Sequence, residues 1–316
     1  MTVAVEKKIR HIHIIINPAA GKKEPVLALI NESLKDSDLK WEMQITRKAG
    51  DGFYFAQEAL KQDVDAVVVY GGDGSMMEVA SALIGSEVPL VILPGGSANV
   101  LANELNIPKD LQEAFALIQK APHEMRWVDM GQYNQRYFIT GLSLGFGAEL
   151  VKGADRETKN KWGILAYFLA AEKALQKLKL STYHLKIDGK DHVIKGLTCV
   201  VNNVGNLGFT KVSLDKHIDV SDGLFDVIVV RKANLSLLKL LITTLVKRER
   251  PENYELVEHW QGSEISLSSD RKQVVQCDGE VIENMHFHIR VLPSAIRILV
   301  PKEPRAKKEP KNEAHN

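Results

Sequence analysis

The segment DAVVVYGGDGSMMEVASALI, residues 65–84, carries the clearest pattern of secondary structure in the chain. It opens with a nearly continuous apolar run, which is typical of a strand covered on both faces in a parallel sheet. The run breaks at Gly71 and Gly72, and residues 76–84 then space their apolar side chains as a helix does. The stretch therefore predicts a strand, a glycine turn and a helix in succession.

The same succession extends to both sides of this stretch. Residues 89–93 form another strand pattern, the turn 94–97 follows, and residues 99–105 show a helix pattern. Such repetition predicts a doubly wound, Rossmann-like α/β domain with ligand sites at the carboxyl ends of its strands, so both glycine turns share one rim. The other predicted elements of this domain are strands 11–16 and 41–46 and helices 26–34 and 53–62.

The pattern changes after Trp127. Strand patterns separated by turns follow, and only residues 161–179 and 235–248 show helix patterns. We therefore predict a second domain dominated by antiparallel strands. The predicted strands are 132–140, 183–187, 196–202, 224–231, 264–268 and 285–291. The expected boundaries are 1–127 for the α/β domain and 128–295 for the β-rich domain, with 296–303 returning to the first domain and 304–316 forming a flexible tail.

Length and composition bound the functional class. With 316 residues, of which 45% are hydrophobic and 26% charged, the chain is long enough for two packed domains. Its net charge of +1 argues against nucleic acid as a partner.

The two cysteines lie apart among apolar residues, which is typical of reduced, buried thiols in the cytoplasm. No apolar stretch reaches the roughly 20 residues of a spanning helix, so we expect any membrane contact to be peripheral.

The turn Gly71-Gly72-Asp73-Gly74-Ser75 is the sharpest chemical signal. Three glycines in four positions let the backbone approach a bulky anion such as a phosphate, and the following helix adds its positive N-terminal end. Asp73 could then reach Mg²⁺, orient a ligand hydroxyl or cap the helix. The alternative is a purely structural turn between strand and helix, with Asp73 or Ser75 as its cap.

Three motifs stand in a characteristic order and spacing: Asn17-Pro18-Ala19-Ala20-Gly21-Lys22, Gly71-Gly72-Asp73-Gly74-Ser75 and Pro94-Gly95-Gly96-Ser97-Ala98-Asn99. Together they resemble the catalytic domain of the diacylglycerol kinase and sphingosine kinase family. The resemblance continues through residues 129–131, 145–147, 221–226 and 277–280, and so covers nearly the whole chain to Pro301. Because the chain lacks zinc-finger cysteines, it is similar to the stand-alone bacterial type within this family.

The resemblance implies that ATP is the phosphate donor and that the active site lies in the cleft between the two domains. The residues expected to contact ATP are Asn17, Pro18, Gly21, Thr46, Gly71, Gly72, Asp73, Gly74, Ser75, Gly96, Ser97 and Asn99. The sequence departs from the family pattern in two ways. Serine stands at 75 and 97 where the family usually has threonine, which keeps the hydroxyl. Val100 stands where the family often has aspartate, so any role of that carboxylate is absent or filled elsewhere.

The segment Cys277-Asp278-Gly279-Glu280 lies between two strand patterns, and by itself it predicts a hairpin turn with Asp-Gly at its tip. The resemblance implies that its carboxylates also reach the cleft, where one of them takes the proton of the acceptor hydroxyl. Asp278 and Glu280 are both candidates, because residues two apart share a face of a regular strand but Gly279 can bend the chain. Asp73 is the third residue expected to take part in catalysis.

The segment 219–224 resembles a family segment that holds a structural Mg²⁺ through the Asp222 carboxylate and nearby backbone carbonyls. Such oxygen ligands suit Mg²⁺, which also retains water. Asp219 and Leu224 belong to the expected ligand set, and Asp129 is a further candidate that would organise metal-bound water in the cleft. By itself, the segment also fits a turn before the strand 224–231.

The resemblance implies a lipid acceptor with a free hydroxyl, most similar to diacylglycerol. Residues 162–180 and 235–246 are rich in leucine and belong either to the core or to an apolar surface that meets acyl chains or the bilayer. We expect a cytoplasmic protein that touches the inner face of the cell membrane transiently, and a homodimer is a further expectation from the family. The basic tail fits a solvated end or a membrane-binding segment.

Two other functions stay open. Kinases of a soluble nicotinamide dinucleotide share a related Gly-Gly-Asp-Gly turn, although the Asn17 turn and the Asp222 segment argue against this class. The other alternative is a protein that binds a nucleotide or a lipid without turnover.

Overall fold

The computed structural model describes residues 2–21, 25–35, 37–119, 121–145, 180–205, 218–231, 257–284 and 286–302. The predicted helices 161–179 and 235–248 and the tail 304–316 lie outside the described residues, as do Phe146 and Gly147. No helix in the described part of the chain is long and apolar enough to cross a membrane.

The first part of the chain alternates between strands and helices, as the sequence predicts. Its elements are β1 (Thr2–Val5), β2 (His11–Ile16), α1 (Val26–Leu34), β3 (Lys40–Ile45), α2 (Asp51–Leu60), β4 (Ala66–Gly71), α3 (Asp73–Ala82), β5 (Leu90–Pro94), α4 (Val100–Glu104) and α5 (Leu111–Gln119). Strands β3, β2, β4 and β5 pair in that order and are all parallel. Strand β4 is buried over its whole length, as expected for β-branched residues in the middle of a covered parallel sheet.

The second part consists almost entirely of strands. They are β6 (His123–Tyr133), β7 (Arg136–Phe138), β8 (Gly141–Gly145), β9 (Ser181–Ile187), β10 (Lys190–Gly196), β11 (Thr198–Asn202), β12 (Phe225–Val230), β13 (Val257–Gly262), β14 (Glu264–Ser269), β15 (Val275–Cys277), β16 (Glu280–Ile282) and β17 (His286–Val300). The predicted fold class, a doubly wound α/β domain followed by a mainly antiparallel β domain, is confirmed.

The long strand β17 links the two parts of the molecule. Along one edge it pairs antiparallel with β14 and then, at Ile298, parallel with Leu90 of β5. Along its other edge it pairs with β6, which runs without a break through the expected boundary at residues 127 and 128. One sheet of 11 strands therefore contains the parallel strands of the first domain and antiparallel strands of the second.

A second sheet packs against the antiparallel half of the first. Its six strands follow the order β13-β12-β11-β8-β15-β16, and every pair is antiparallel. The apolar residues between the two sheets alternate along each strand, as in a β-sandwich. Phe138, Tyr183 and Phe225 are the largest fully buried side chains of this core.

Several predicted elements differ from the observed ones. The predicted strand 132–140 is a hairpin, because Asn134 adopts a left-handed φ of 52° and separates β6 from β7. The predicted strand 196–202 begins at Thr198, because Gly196 is the last residue of β10, a strand that the sequence pattern did not predict. Strand β10 has exposed polar and charged residues at an edge of the sheet, so its sequence carries a weak apolar pattern. Helix α3 begins at Asp73, three residues before the predicted start, which places the aspartate in its first turn.

Candidate active site

Both glycine turns lie at the carboxyl edge of the parallel strands. Strand β4 ends at Gly71 and β5 at Pro94, and the Gly95 N–H donates to the Gly71 carbonyl at 2.9 Å. The two turns touch each other, because a Cβ added at Gly96 would lie 2.5 Å from the Gly72 Cα. Only glycine allows this approach. The two predicted phosphate turns therefore form one continuous surface of backbone, which an anion can reach.

The Asn17 turn joins this surface from β2. The Asn17 N–H donates to the Tyr70 carbonyl at 2.9 Å, and its side-chain amide donates to the Ser75 hydroxyl at 2.8 Å. Thr46, at the end of β3, donates its N–H to the Ile16 carbonyl at 2.9 Å. The structure thus brings the Asn17 turn, with its Pro18 and Gly21, together with Thr46 and Ser75 on one rim, as parallel strand ends require.

Asn99 closes the second glycine turn. Its side-chain oxygen accepts from the Gly96 N–H at 2.9 Å, and its side-chain amide donates to the Gly96 carbonyl at 2.8 Å. Its own φ of 48° is left-handed, a conformation that asparagine tolerates better than most residues. Asn99 therefore shapes the loop around Ser97 before α4 begins.

Asp73 does not cap its own helix. Its carboxylate accepts from the N–H of Val100, the first residue of α4, at 2.7 Å. Burial raises the pKa of Asp73 above its usual range, hydrogen bonds from Val100 and Asn99 oppose that rise, and the Asp278 carboxylate adds to it. Asp73 and Asp278 belong to different domains, yet they lie close enough to interact electrostatically.

Asp278 stands at the tip of the hairpin between β15 and β16. Asp278 and Gly279 have φ angles of 46° and 89°, as a tight two-residue hairpin turn requires. The turn is partly exposed, but the carboxylate is enclosed by donors. It accepts from the N–H groups of Ile139, Thr140 and Gly141 at 2.8, 2.9 and 3.1 Å and from the Thr140 hydroxyl at 2.5 Å.

Burial raises the pKa of Asp278 despite these hydrogen bonds. Glu280 begins β16 and is exposed, across the hairpin from Cys277. The turn therefore separates Asp278 and Glu280, which a regular strand would have placed on one face. Of the two candidate bases, Asp278 is therefore enclosed by donors from residues 139–141, whereas Glu280 faces solvent.

Asp129 is almost completely buried and holds three segments together. Its two carboxylate oxygens accept from the Gly223 N–H and the Ser294 N–H, each at 2.6 Å. Its carbonyl accepts from the Asn203 side-chain amide at 2.8 Å. Burial raises the pKa of Asp129, and these N–H groups oppose the rise. Asp129 thereby ties β6 to the segment 219–224 and to the irregular part of β17.

The predicted metal segment is held by its own backbone and by Arg126. The Asp222 carboxylate accepts from the Leu224 N–H at 2.9 Å, and the Asp219 carboxylate accepts from the Ser221 N–H at 3.0 Å. Asp219 also forms an ion pair with Arg126. Burial raises the pKa of Asp222, and the carboxylates of Asp226, Asp219 and Asp129 raise it further.

A cation would relieve this concentration of negative charge. Within the described ranges, no three side chains of His, Cys, Asp or Glu converge as a metal site. The residues present therefore fit Mg²⁺ only through the Asp222 carboxylate combined with backbone carbonyls and water, a donor set that Mg²⁺ accepts. Asp219 is less suited to a ligand role than the sequence pattern suggests, because Arg126 already compensates its charge.

An open cavity of about 670 Å³ lies on the same rim, beside the end of β3. Arg47, Lys48 and Phe55 line it, together with Gln44, Ile45 and Asp51. None of these six residues belongs to a motif that the sequence shows. The basic pair that directly follows Thr46 is the local signal that could have indicated them.

Comparisons with known proteins agree with this architecture. Residues 11–133 match the family described as the diacylglycerol kinase catalytic domain, and residues 141–300 match the YegS C-terminal NAD kinase beta sandwich-like domain. The chain belongs to the diacylglycerol kinase family. This membership confirms the predicted resemblance and the predicted class of enzyme, a lipid kinase.

Several curated relatives of this family member are named diacylglycerol kinase. The Bacillus subtilis (strain 168) protein is 27% identical over 304 residues, which cover 93% of this chain and 98% of the relative. The Staphylococcus saprophyticus protein is 29% identical over 305 residues, which cover 93% and 96%. A solved diacylglycerol kinase structure from Bacillus anthracis str. Sterne superimposes with a TM-score of 0.71 at 20% identity, covering 93% of this chain and 98% of that one. At this identity, the superposition supports the fold alone.

Proposed function

We propose that this family member transfers the γ-phosphate of ATP, with Mg²⁺, to the free hydroxyl of a diacylglycerol-like lipid. One observation carries the proposal: the glycine turns after β4 and β5 meet as one backbone surface at the carboxyl edge of the parallel strands, where the helix that carries Asp73 begins. The Asp278 carboxylate of the β-rich domain adds to the rise in the pKa of Asp73, which supports a base for the acceptor hydroxyl beside that surface.

The donor side of the site consists of backbone and hydroxyl groups. Gly72 and Gly96 let the two turns touch, Gly71 makes room for Ser75, and a Cβ at Gly74 would meet no atom within 4 Å. The Asn17 turn lies beside them and is hydrogen-bonded to Tyr70 and Ser75. Ser75, Ser97 and Thr46 add hydroxyls, and Asn99 keeps the second turn in shape. Phosphoryl transfer requires mostly such positioning and charge stabilisation.

The acceptor side depends on a carboxylate base. In the proposed step the lipid O–H bond breaks and its proton passes to Asp278. The lipid oxygen then bonds to the γ-phosphorus as the bond to the bridging oxygen of ADP breaks. A pKa raised by burial makes Asp278 a stronger base than an ordinary aspartate. Glu280 is the second candidate, because it lies two residues further along the same hairpin.

Mg²⁺ would supply charge compensation for the phosphates. We propose Asp73 as the residue that orients the metal-bound nucleotide, since its carboxylate lies beside the glycine turns. A separate structural Mg²⁺ would use Asp222, the backbone of Leu224 and neighbouring carbonyls, with Asp219 and Asp129 in the surrounding shell. Asp129 would act through its hold on Gly223, which keeps the segment folded.

The proposed acceptor follows from the relatives named diacylglycerol kinase and from the family of the catalytic domain. A lipid acceptor requires contact with a membrane surface, and we propose that this contact is peripheral and occurs on the cytoplasmic face. A homodimer stays a prediction from the family.

The test is transfer of labelled γ-phosphate from Mg²⁺-ATP to dispersed diacylglycerol, monoacylglycerol, phosphatidylglycerol and a sphingoid base. The native chain is compared with Asp278→Asn and Glu280→Gln. We expect labelled diacylglycerol product from the native chain and loss of product with Asp278→Asn. If a different lipid is phosphorylated, that lipid is the acceptor in place of diacylglycerol. If only Glu280→Gln abolishes product formation, Glu280 is the base in place of Asp278. ATP binding without any lipid product would contradict the proposed reaction.

A soluble acceptor is the second candidate function. It is favoured by the match of residues 141–300 to a domain described as NAD kinase beta sandwich-like. The same assay with NAD in place of lipid decides between the two, because only a kinase of a soluble acceptor would phosphorylate NAD in the absence of detergent.

A further inference from the structure

The segment from the end of β3 into the first residues of α2, residues 46–52, is folded around two carboxylates, and we name it the rim loop. The Asp51 carboxylate accepts from the N–H groups of Arg47 and Lys48 at 2.8 and 3.1 Å. The Glu78 carboxylate reaches the loop from α3, and its two oxygens accept from the N–H groups of Gly50 and Gly52 at 2.8 and 2.9 Å. Glu78 thus holds the loop with both of its oxygens.

The two glycines make this contact feasible. Gly50 has a left-handed φ of 90°, which most residues avoid. A Cβ at Gly52 would lie 2.8 Å from a Glu78 carboxylate oxygen and 3.2 Å from the Glu78 Cβ. Hydrogen bonds to a charged acceptor are about twice as strong as those between neutral groups. The Glu78 carboxylate therefore connects α3 to the rim loop through two strong hydrogen bonds, from Gly50 and Gly52.

The connection joins two parts of the candidate nucleotide site. The rim loop begins at Thr46, which is bonded to Ile16 beside the Asn17 turn, and its Arg47 and Lys48 line the open cavity at the end of β3. Helix α3, which carries Glu78, begins at Asp73 in the phosphate turn. A shift of the rim loop relative to α3 would therefore move the cavity relative to the turn 71–75, which is expected to bind the phosphates.

We propose that Glu78 is a positioning residue for the nucleotide. It touches no substrate, but it fixes the rim loop relative to the phosphate turn, so that one bound nucleoside triphosphate contacts both. The inference rests on the proposed binding of ATP and is independent of the identity of the lipid.

The test measures the dissociation constant of a non-hydrolysable Mg²⁺-ATP analogue by titration calorimetry. For Glu78→Ala we expect binding about tenfold weaker, a change equivalent to about 1.4 kcal/mol. Glu78→Gln keeps one acceptor oxygen and should lie between the native chain and Glu78→Ala. Glu58→Gln is the matched control, because Glu58 is on α2, has a side chain that is 41% exposed and pairs only with Lys61 in the described structure. Its binding should equal that of the native chain.

Two further measurements separate positioning from general stability. Hydrogen exchange of residues 46–52 should accelerate in Glu78→Ala, while the β-sandwich strands stay unchanged. In the kinase assay the KM for ATP should rise with the binding constant, whereas the KM for the lipid should not.

Unchanged nucleotide binding in a folded Glu78→Ala or Glu78→Gln variant would overturn the inference, even if the melting temperature falls. Absence of nucleotide binding by the native chain would overturn both the inference and the proposed function. Binding that weakens as expected in a chain that phosphorylates no lipid would support the inference and contradict the lipid kinase reaction alone.

Discussion

The two aspartates of the candidate site stand in opposite settings. Asp73 begins a helix at the end of a buried parallel strand and accepts the Val100 N–H. Asp278 stands at the tip of a hairpin and accepts three backbone N–H groups and a hydroxyl from residues 139–141. Burial raises the pKa of both. Asp278 therefore stabilises the fold of its own domain, whereas a substitution at Asp73 should lower the free energy of unfolding less.

The largest expected effect tests the proposed base. Asp278→Asn should lower the rate of transfer on the order of 10²- to 10⁴-fold, because the amide cannot take the hydroxyl proton. It should also lower the free energy of unfolding by about 1–3 kcal/mol, since the amide NH₂ would face a backbone donor. Steady-state kinetics and denaturant unfolding measure the two quantities. Asp191→Asn, an exposed change on β10, is the control for both. A fully active Asp278→Asn would remove this residue from the role of base.

Asp73→Asn should separate activity from stability. We expect a large loss of transfer, because the carboxylate beside the phosphate turn is gone, but a loss in the free energy of unfolding of only about 1 kcal/mol, since the amide oxygen can still accept the Val100 N–H. The same two measurements apply. Equal destabilisation by Asp73→Asn and Asp278→Asn would show that the two carboxylates stabilise the fold to the same extent.

A pair of alanine substitutions tests the contact between the glycine turns. In Gly96→Ala the new Cβ would collide with the Gly72 backbone, so the free energy of unfolding should fall by about 1–3 kcal/mol and ATP binding should weaken. Gly74→Ala is the matched control for stability, because a Cβ there meets no atom within 4 Å and the site is helical. Its free energy of unfolding should rise by about 0.4–1 kcal/mol. Similar melting temperatures for the two variants would refute the close contact.

The smallest effect concerns pH. The pKa of Asp73 in the folded state lies above the ordinary value of 3.8, so its contribution to stability is full below that value and is lost as pH rises through the folded-state pKa. Asp73→Asn removes this loss. The melting temperature of the variant relative to the native chain should therefore increase between about pH 4 and pH 7. A difference that stays constant across this range would show that the folded-state pKa is not raised.

The sequence predicted those features that depend on local chemistry. The glycine turns, the parallel strands and the Asp-Gly hairpin each follow from the conformational preferences of neighbouring residues. The order of strand, turn and helix in residues 65–84 and the hairpin at residues 277–280 are therefore confirmed, although α3 begins three residues earlier than predicted. The candidate ATP contacts at Asn17, Thr46 and Ser75 also lie together, because parallel strands align their carboxyl ends.

The remaining features depend on contacts between distant residues. Nothing near Asp129 indicates that its carboxylate meets Gly223 and Ser294, which lie 94 and 165 residues away. In the same way, the Asp73 contact with α4 and the Glu78 contact with the rim loop require the folded arrangement of separate helices. Sequence patterns therefore predict a local turn, but they do not predict which distant residue will form hydrogen bonds with it.

Strand β17 makes the two domains a single cooperative unit. Its hydrogen bonds to β14, β5 and β6 belong to both halves of the molecule, so neither half can lose its structure without breaking the ladder of the other. Heating should therefore melt the chain in one calorimetric transition instead of two. A relative movement of the domains must then twist or bend this shared strand. We expect the bending to occur between Leu292 and Ile296, where the pairing with β6 is irregular and Asp129 accepts the Ser294 N–H.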